Sequence, residues 1–89
     1  MSALPIPGEL YFRDFEFDME EYSIEREGAE IASVCGLSNN ERGQAYIHVP
    51  VGTDIRPGDV LIKGISRIPV RSVEIDTYDG KPSLIKALL

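Results

Sequence analysis

The chain has 89 residues, 43% of them hydrophobic and 27% charged, which is the composition of one small globular domain. The single cysteine, Cys35, excludes an internal disulfide framework and a metal site built from several thiolates. The sequence has no apolar stretch of about 18 residues, and its N-terminus lacks a basic segment followed by an apolar one. We therefore expect a soluble, intracellular protein with neither a membrane span nor a signal peptide.

Acidic side chains concentrate in the first third of the chain. The net charge is −6, and residues 9–30 hold nine acids against only Arg13 and Arg26. An acidic segment does not neutralise phosphates, so tight, free-standing nucleic-acid binding is disfavoured. Two interpretations stay open: a solvated face, or a flank that meets a basic partner surface or repels DNA from a channel wall.

Residues 1–9 predict an extended N-terminal arm. Pro5, Pro7 and Gly8 disfavour regular secondary structure there. The arm carries the apolar Leu4 and Ile6, which it has no means of burying alone, so we expect a neighbouring subunit to order it.

Residues 10–17 are rich in aromatic side chains and predict the first strand. Their alternation slips, because Leu10 and Phe12 share one face and Phe15 falls on the other. A bulge near Arg13 would return these side chains to a single buried face.

The remaining sequence predicts short strands separated by turn residues. A helix over residues 18–27 competes with a strand there, although its apolar residues make a poor helical stripe. Residues 38–43 predict the clearest loop. Pro57-Gly58 suits a type II turn, and Asp79-Gly80 is typical of a hairpin. The predicted strands after the first are 22–27, 29–36, 45–51, 60–64, 68–75 and 83–89.

These elements predict an all-β fold. Six or seven short strands at regular spacing favour a small antiparallel barrel or sandwich, which closes its own edges. The arm would occupy residues 1–9, and a single small β-barrel domain would occupy residues 10–89.

Candidate catalytic and metal-binding residues are few. Cys35 lies in an apolar segment, and a buried free cysteine usually acts as a small hydrophobic residue. His48 is best interpreted as a histidine whose ring nitrogens find their polar partners within the fold. Glu41, Asp54 and Asp59 lack the spacing of a divalent-metal loop. We therefore expect no enzyme, no bound cofactor and no metal.

Four basic residues lie close together in the sequence, and we call them the basic ridge: Arg56, Lys63, Arg67 and Arg71. Three interpretations stay open. The ridge balances the acidic segment on the surface, contacts an acidic neighbouring subunit, or loosely guides a nucleic-acid backbone. In a head-to-tail ring, the acidic segment of one copy would meet the basic ridge of the next.

The C-terminal half shows a recognisable order of motifs. An isoleucine precedes a Gly-Asp pair, a hydrophobic strand and a glycine, and a valine-containing strand, a polar turn and a last strand follow. In this order residues 10–89 resemble small phage head–tail connector proteins of the head-completion or stopper type. The matching residues are Ile55, Gly58, Asp59, Val60, Ile62, Gly64, Val70, Val73, Asp79 and Gly80.

The resemblance implies a virion structural protein without catalysis, a ring subunit that joins the portal to the tail. Its partners would be its own copies, the portal or adaptor protein and a tail protein, with DNA passing nearby without sequence-specific binding and no membrane involved. It would lie at the head–tail interface of the virion, and in the host cytoplasm during assembly. The residues implied to face the channel or a neighbour are Asn39, Asn40, Glu41 and Arg42.

The apolar ends of the chain favour assembly independently of the resemblance. Leu88 and Leu89 prefer burial, so we predict that they contact neighbours together with Leu4, Ile6 and the basic ridge. The alternative function is a small OB-like barrel that binds nucleic acid or a ligand. That class needs aromatic and basic residues interleaved on one sheet face, whereas here the aromatic residues concentrate in the acidic third.

Overall fold

The computed structural model describes residues 4–89 and is built mainly from strands. Strands account for 58% of these residues and helices for 12%. All strand pairs are antiparallel, so the predicted all-β class is confirmed. The elements are α1 (Gly8–Asp14), a 3-10 helix (Glu16–Asp18), β1 (Glu20–Arg26), β2 (Ala29–Glu41), β3 (Gln44–Pro50), β4 (Val60–Lys63), β5 (Ser66–Pro69), β6 (Ser72–Tyr78) and β7 (Lys81–Leu88).

The seven strands form one sheet in the order β5-β4-β1-β2-β3-β7-β6, which curls into a half-barrel. Strand β2 belongs to both halves of this sheet, because it pairs with β1 up to Gly36 and with β3 from Leu37 onward. A Cβ at Gly36 would lie only 2.6 Å from Ile47 Cγ2. Glycine therefore allows β3 to approach β2 closely where β2 changes partner.

The two edge strands, β5 and β6, follow each other along the chain, and the sheet curls until they meet at Val70 and Arg71. The Val70 N–H donates to the Asp59 carbonyl at 2.8 Å, and the Val70 carbonyl accepts the Gly58 N–H at 2.9 Å. The Arg71 N–H donates to the Leu88 carbonyl at 2.8 Å. This corner joins the two halves through satisfied backbone groups.

Strand alternation directs one face of each half into a shared core. Strands β1 and β4 contribute Ile24 and Leu61, and β3 contributes Ile47 and Val49. All four are almost completely buried, and each stabilises the fold by about 1.5–3 kcal/mol relative to exposure. The core therefore ties together strands that are distant in the sheet.

Three hairpins are closed by two-residue turns in which both residues have positive φ, at Glu27-Gly28, Arg42-Gly43 and Asp79-Gly80. This is the backbone pattern of the type I′ turn, whose twist matches that of the flanking strands. The predicted Asp79-Gly80 hairpin is thus confirmed. At Pro57-Gly58 the glycine has φ +93°, as the predicted type II turn requires.

The predicted strand over residues 10–17 is wrong, since these residues form α1 and the 3-10 helix. The Tyr11 N–H donates to the Pro7 carbonyl at 3.1 Å and begins the helix. The helical period brings Tyr11 and Phe15 to the same side, with ring centroids 5.2 Å apart. The spacing of these aromatic residues does not fit the alternation of a strand because it is the spacing of a helix. Neither helix within residues 4–89 is long and apolar enough to cross a membrane.

The predicted loop over residues 38–43 is also wrong. Strand β2 continues to Glu41 and β3 begins at Gln44, so only Arg42 and Gly43 lie between the strands. Polar side chains suit this hairpin end because its residues are exposed to water. This hairpin end contains the residues that the resemblance implies to face a channel or a neighbouring subunit: Asn39, Asn40, Glu41 and Arg42.

Two further boundaries differ from the prediction. The predicted strand over residues 68–75 is interrupted at the corner between β5 and β6. The predicted strand over residues 22–27 is confirmed as β1, and no helix forms over residues 20–26. The predicted arm over residues 1–9 ends early, because α1 begins inside it, and its first three residues lie outside the described residues. The Leu4 N–H donates to the Thr77 carbonyl at 2.6 Å, which attaches the arm to β6 of its own chain.

We expect Gly36→Ala to lower the free energy of unfolding by about 1–3 kcal/mol. The added Cβ would lie 2.6 Å from Ile47 Cγ2 and 3.2 Å from the His48 carbonyl oxygen, so β2 and β3 would have to move apart. Urea denaturation measures the difference. Ser33→Ala, at an exposed position of β2, is the matched control and should change nothing. A Gly36→Ala protein as stable as the wild type would contradict the close approach.

Candidate functional site

A buried polar cluster lies between α1 and the half of the sheet that contains β3, β7 and β6. His48 is at its centre and is only 8% exposed. The Nδ1 atom of His48 lies 3.3 Å from the Tyr11 hydroxyl, and its Nε2 atom lies 3.5 Å from Asp76 Oδ2. The ring of Tyr46 packs edge-on against the imidazole, with centroids 5.0 Å apart. We call Tyr11, His48 and Asp76 the Tyr–His–Asp cluster.

Local structure explains how these side chains meet. On β3, Ile47 faces the core, so the next residue, His48, faces the opposite side of the sheet and α1. The Gly8 N–H donates to Ser83 Oγ at 2.7 Å, and a Cβ at Gly8 would lie 2.2 Å from the Ser83 carbonyl oxygen. The helix therefore starts in direct contact with β7, which places Tyr11 one turn later above His48.

The His48 imidazole in this cluster is neutral near pH 7. Burial lowers the pKa of the His48 imidazole below 6.5, although the Asp76 carboxylate opposes this shift. Burial raises the pKa of the Tyr11 hydroxyl. Because a carboxylate can only accept, the neutral imidazole fits the cluster best with its N–H at Nε2, facing Asp76, and with Nδ1 accepting the Tyr11 O–H. Asp76 Oδ1 is buried without a hydrogen-bond partner in the described part of the chain. The cluster is a closed contact between helix and sheet, in agreement with the predicted satisfied histidine.

We expect the wild-type protein to lose stability as the pH falls from about 7 to about 5, the interval around the ordinary histidine pKa. The lowered pKa means that the unfolded chain binds a proton at His48 more readily than the folded chain, so stability falls as acid is added. His48→Gln removes the only histidine, and its stability profile should be flatter over this interval.

Urea denaturation at several pH values measures both profiles. The hydrogen bonds from Arg26 lower the pKa values of Asp54 and Asp59 from 3.8, so their stabilising contribution is lost only at more acidic pH. Parallel profiles for the wild type and His48→Gln between neutral and mildly acidic pH would contradict the shielded, neutral imidazole.

A second polar cluster fixes the segment between β3 and β4. Asp59 is 2% exposed and accepts two hydrogen bonds from the Arg26 guanidinium, each 2.8 Å long. It also accepts the Arg56 N–H at 2.9 Å, and Arg26 reaches Asp54 at 3.3 Å. These bonds lower the pKa of Asp59 and raise that of Arg26, so both remain charged. The bidentate pair attaches the turn before β4 to the end of β1.

We expect Asp59→Asn to lower the free energy of unfolding by about 2–4 kcal/mol, because the substitution leaves the Arg26 guanidinium without its buried counter-charge. Asp54→Asn is the matched control, since Asp54 contacts the same guanidinium from an exposed position, and it should have little effect. Thermal and urea unfolding measure both variants. Equal losses from the two substitutions would contradict the dominance of the buried pair.

The basic ridge is largely paired within the chain. Three of its four side chains contact acidic residues, and two of these contacts, from Lys63 and Arg67, are with the acidic segment that the ridge was predicted to balance. Exposed pairs of this kind stabilise little, but they reduce the positive charge open to a phosphate backbone. Contact with a neighbouring subunit stays a prediction. The partners are Asp54 for Arg56, Glu20 for Lys63, Glu25 for Arg67 and the Gln44 side chain for Arg71.

The other predicted contact residues pack largely on their own chain. Leu88 and Leu89 are half-buried, and the Leu89 N–H donates to the Ala45 carbonyl at 3.0 Å. Leu89 also packs against the core. Leu4 is half-buried, whereas Ile6 is exposed. Contact of these residues with a sister copy stays a prediction.

The residues considered for metal binding or catalysis, Glu41, Asp54, Asp59 and Cys35, do not lie together in the described part of the chain. Arg26 lies between Asp54 and Asp59, and Glu41 faces Lys86 at 4.0 Å. Within residues 4–89 no group of three His, Cys, Asp or Glu side chains could hold a metal ion. The interpretation of Cys35 as a buried hydrophobe is wrong: the thiol is exposed, because its neighbours on β2 alternate toward the core.

One shallow cavity of about 240 Å³ lies beside the start of α1, lined by Pro7, Glu9, Val51, Pro82 and Ser83. The Ser83 hydroxyl already accepts a hydrogen bond from α1. The volume of the cavity, about 240 Å³, is below the roughly 300–1,000 Å³ of a typical small-molecule site.

Sequence reasoning missed the two most exposed large apolar side chains, Phe17 and Ile65, which are 95% and 101% exposed. Phe17 lies within residues 10–17, which the sequence predicts as the first strand, and the sequence predicts no role for Ile65. A signal for Ile65 existed, since an apolar residue directly after Gly64 occupies a turn where polar residues are usual.

Comparisons of the chain with protein-family models, curated proteins and solved structures found no match.

Proposed function

We propose that the protein is a structural subunit of a phage head–tail connector of the head-completion or stopper type, forming a ring with its own copies between portal and tail. The surplus of large apolar side chains on the surface of a small, well-packed β-domain carries this proposal. Two of them are completely exposed, which favours a protein contact over a purely solvated surface. The exposed set within residues 4–89 is Ile6, Phe15, Phe17, Ile31, Val51, Ile65 and Ile75.

The charges favour protein partners over nucleic acid. Fifteen acids outnumber nine basic residues, and most of the basic ridge is ion-paired within the chain. DNA passing through a connector would be repelled by such a surface rather than held by it. This suits a subunit that lets DNA pass without binding it.

The buried polar groups support a mechanical rather than a chemical role. The Tyr–His–Asp cluster attaches α1 to the sheet, and the Arg26–Asp59 pair attaches the turn before β4. Both are shielded from solvent at their central residues. A ring subunit needs segments fixed in this way, because its contact surfaces must keep their relative positions.

The alternative is a small OB-like barrel that binds nucleic acid or a ligand. It needs aromatic rings beside free basic residues on an open sheet face. Tyr22 and Tyr46 are instead buried, and the exposed Phe15 and Phe17 lie in the acidic segment. Strong, steeply salt-dependent binding to single-stranded DNA would favour this alternative.

We expect deletion of the gene from the phage or prophage that encodes the protein to leave filled or leaking heads separate from completed tails, because the joint between them is missing. Negative-stain electron microscopy counts joined and separate particles. Supplying the wild-type gene in trans is the control and should restore joined particles. Joined, infectious particles in the deletion strain would contradict the proposed function.

A further inference from the structure

Ile65 stands at the tip of a tight hairpin and is not covered by its own chain. It lies in the two-residue turn between β4 and β5, and it is 101% exposed. Gly64 has φ +60° in this turn, the first-position glycine of a type II′ hairpin. The turn requires this glycine but not an isoleucine after it, so local structure does not explain Ile65. A short turn and a β-branched side chain also leave Ile65 few conformations to lose on binding.

The cavity beside the start of α1 has the size and the apolar lining that such a side chain needs. Pro7, Val51 and Pro82 supply apolar surface, and Val51 and Pro82 are exposed. The volume of about 240 Å³ exceeds the roughly 150 Å³ that accommodates a benzene ring. An isoleucine side chain has fewer carbons than benzene. A cavity too small for a typical small-molecule ligand is therefore large enough for Ile65 of another copy.

The charges beside the hairpin tip and the cavity are opposite. Lys63 and Arg67 flank the turn, and their side chains are 51% and 59% exposed although each contacts an acid of β1. Glu9 lines the cavity, is exposed, and takes part in no ion pair among residues 4–89. Other exposed acids are unpaired as well, and Glu9 differs from them because it lies at an apolar cavity. Insertion of Ile65 there would bring cations toward its carboxylate.

We propose that Ile65 of one copy inserts into the cavity beside α1 of the next copy, with Lys63 and Arg67 facing Glu9. This inference rests on the proposed function and names the contact between neighbouring subunits of its ring. The inserted and the receiving surfaces are different, so the contact is head-to-tail and can repeat around a closed ring. Two Ile65 turns that met each other would instead bring like charges together, which disfavours a symmetric pair.

Sedimentation velocity measures self-association of the purified protein from micromolar to millimolar concentration, and the wild type should form oligomers whose mass rises with concentration. Ile65→Ser removes the inserted side chain, and Val51→Lys places a like charge opposite Lys63 and Arg67. Each substitution should weaken self-association at least about tenfold. Ile31→Ser and Ile31→Lys, at an exposed position of β2, are the matched controls and should associate like the wild type.

A mixture of the two variants tests the direction of the contact. Ile65→Ser keeps an intact cavity, and Val51→Lys keeps an intact Ile65, so the mixture should form pairs with one copy of each variant and nothing larger. Native mass spectrometry identifies these pairs. Circular dichroism should show both variants folded, since both altered side chains are exposed.

A charge variant tests the role of Glu9. Glu9→Gln should weaken self-association and reduce its dependence on salt, because fewer ion pairs form across the contact. Glu30→Gln, at an exposed and unpaired acid of β2 within residues 4–89, is the matched control and should change neither quantity. An unchanged Glu9→Gln protein would contradict the placement of Lys63 and Arg67 beside Glu9.

The outcomes separate the inference from the proposed function. Three results would each overturn the inference: a wild type that stays monomeric throughout, an Ile65→Ser protein that associates like the wild type, or variants that do not pair when mixed. None of them bears on the gene-deletion experiment, which decides the proposed function. Joined particles in the deletion strain would contradict the proposed function and leave a measured contact through Ile65 in place.

Discussion

Strand β2 serves both halves of the curled sheet, and the position of every surface feature depends on how it changes partner at Gly36. Because no side chain stands between β2 and Ile47 there, the two halves close over one core. The edge strands then meet at Val70 and Arg71, where backbone hydrogen bonds join them to the rest of the sheet. Within one half of the sheet, the pairing of β1 with β4 places the start of β1 beside the β4–β5 turn.

Strand order also determines which charges remain available to partners. The acidic first third meets the basic ridge inside one molecule, through pairs such as Lys63–Glu20 and Arg67–Glu25. Exposed acids without an ion pair in the described part of the chain remain around the 3-10 helix, at Glu16 and Asp18, and at the β1–β2 hairpin, at Glu27 and Glu30, while the central groups of the two polar clusters are buried. Such a surface disfavours the binding of nucleic acid and favours contact with a protein that presents basic and apolar side chains. These features suit the passive adaptor role that we propose.

Sequence reasoning predicted the parts of the fold that depend on local rules. The strands around Ile24 and Ile47 follow from alternation, and the Asp79-Gly80 hairpin follows from its turn chemistry. The two failures have different causes. The aromatic segment containing Phe15 forms a helix whose start is hydrogen-bonded to Ser83 on β7, a contact between distant parts of the chain. Residues 38–43 form a tight hairpin because Arg42 and Gly43 both adopt positive φ. The Tyr–His–Asp cluster and the exposure of Phe17 arise from contacts between distant segments, which spacing along one chain does not reveal.

The proposed function is tested most directly by a cryo-electron microscopy reconstruction of the head–tail junction of the phage or prophage in whose genome the gene lies. The proposal predicts a ring of curled seven-stranded half-barrels in which exposed apolar side chains such as Phe17 and Ile65 are buried against a neighbouring protein. A junction that lacks this ring would contradict the proposed function.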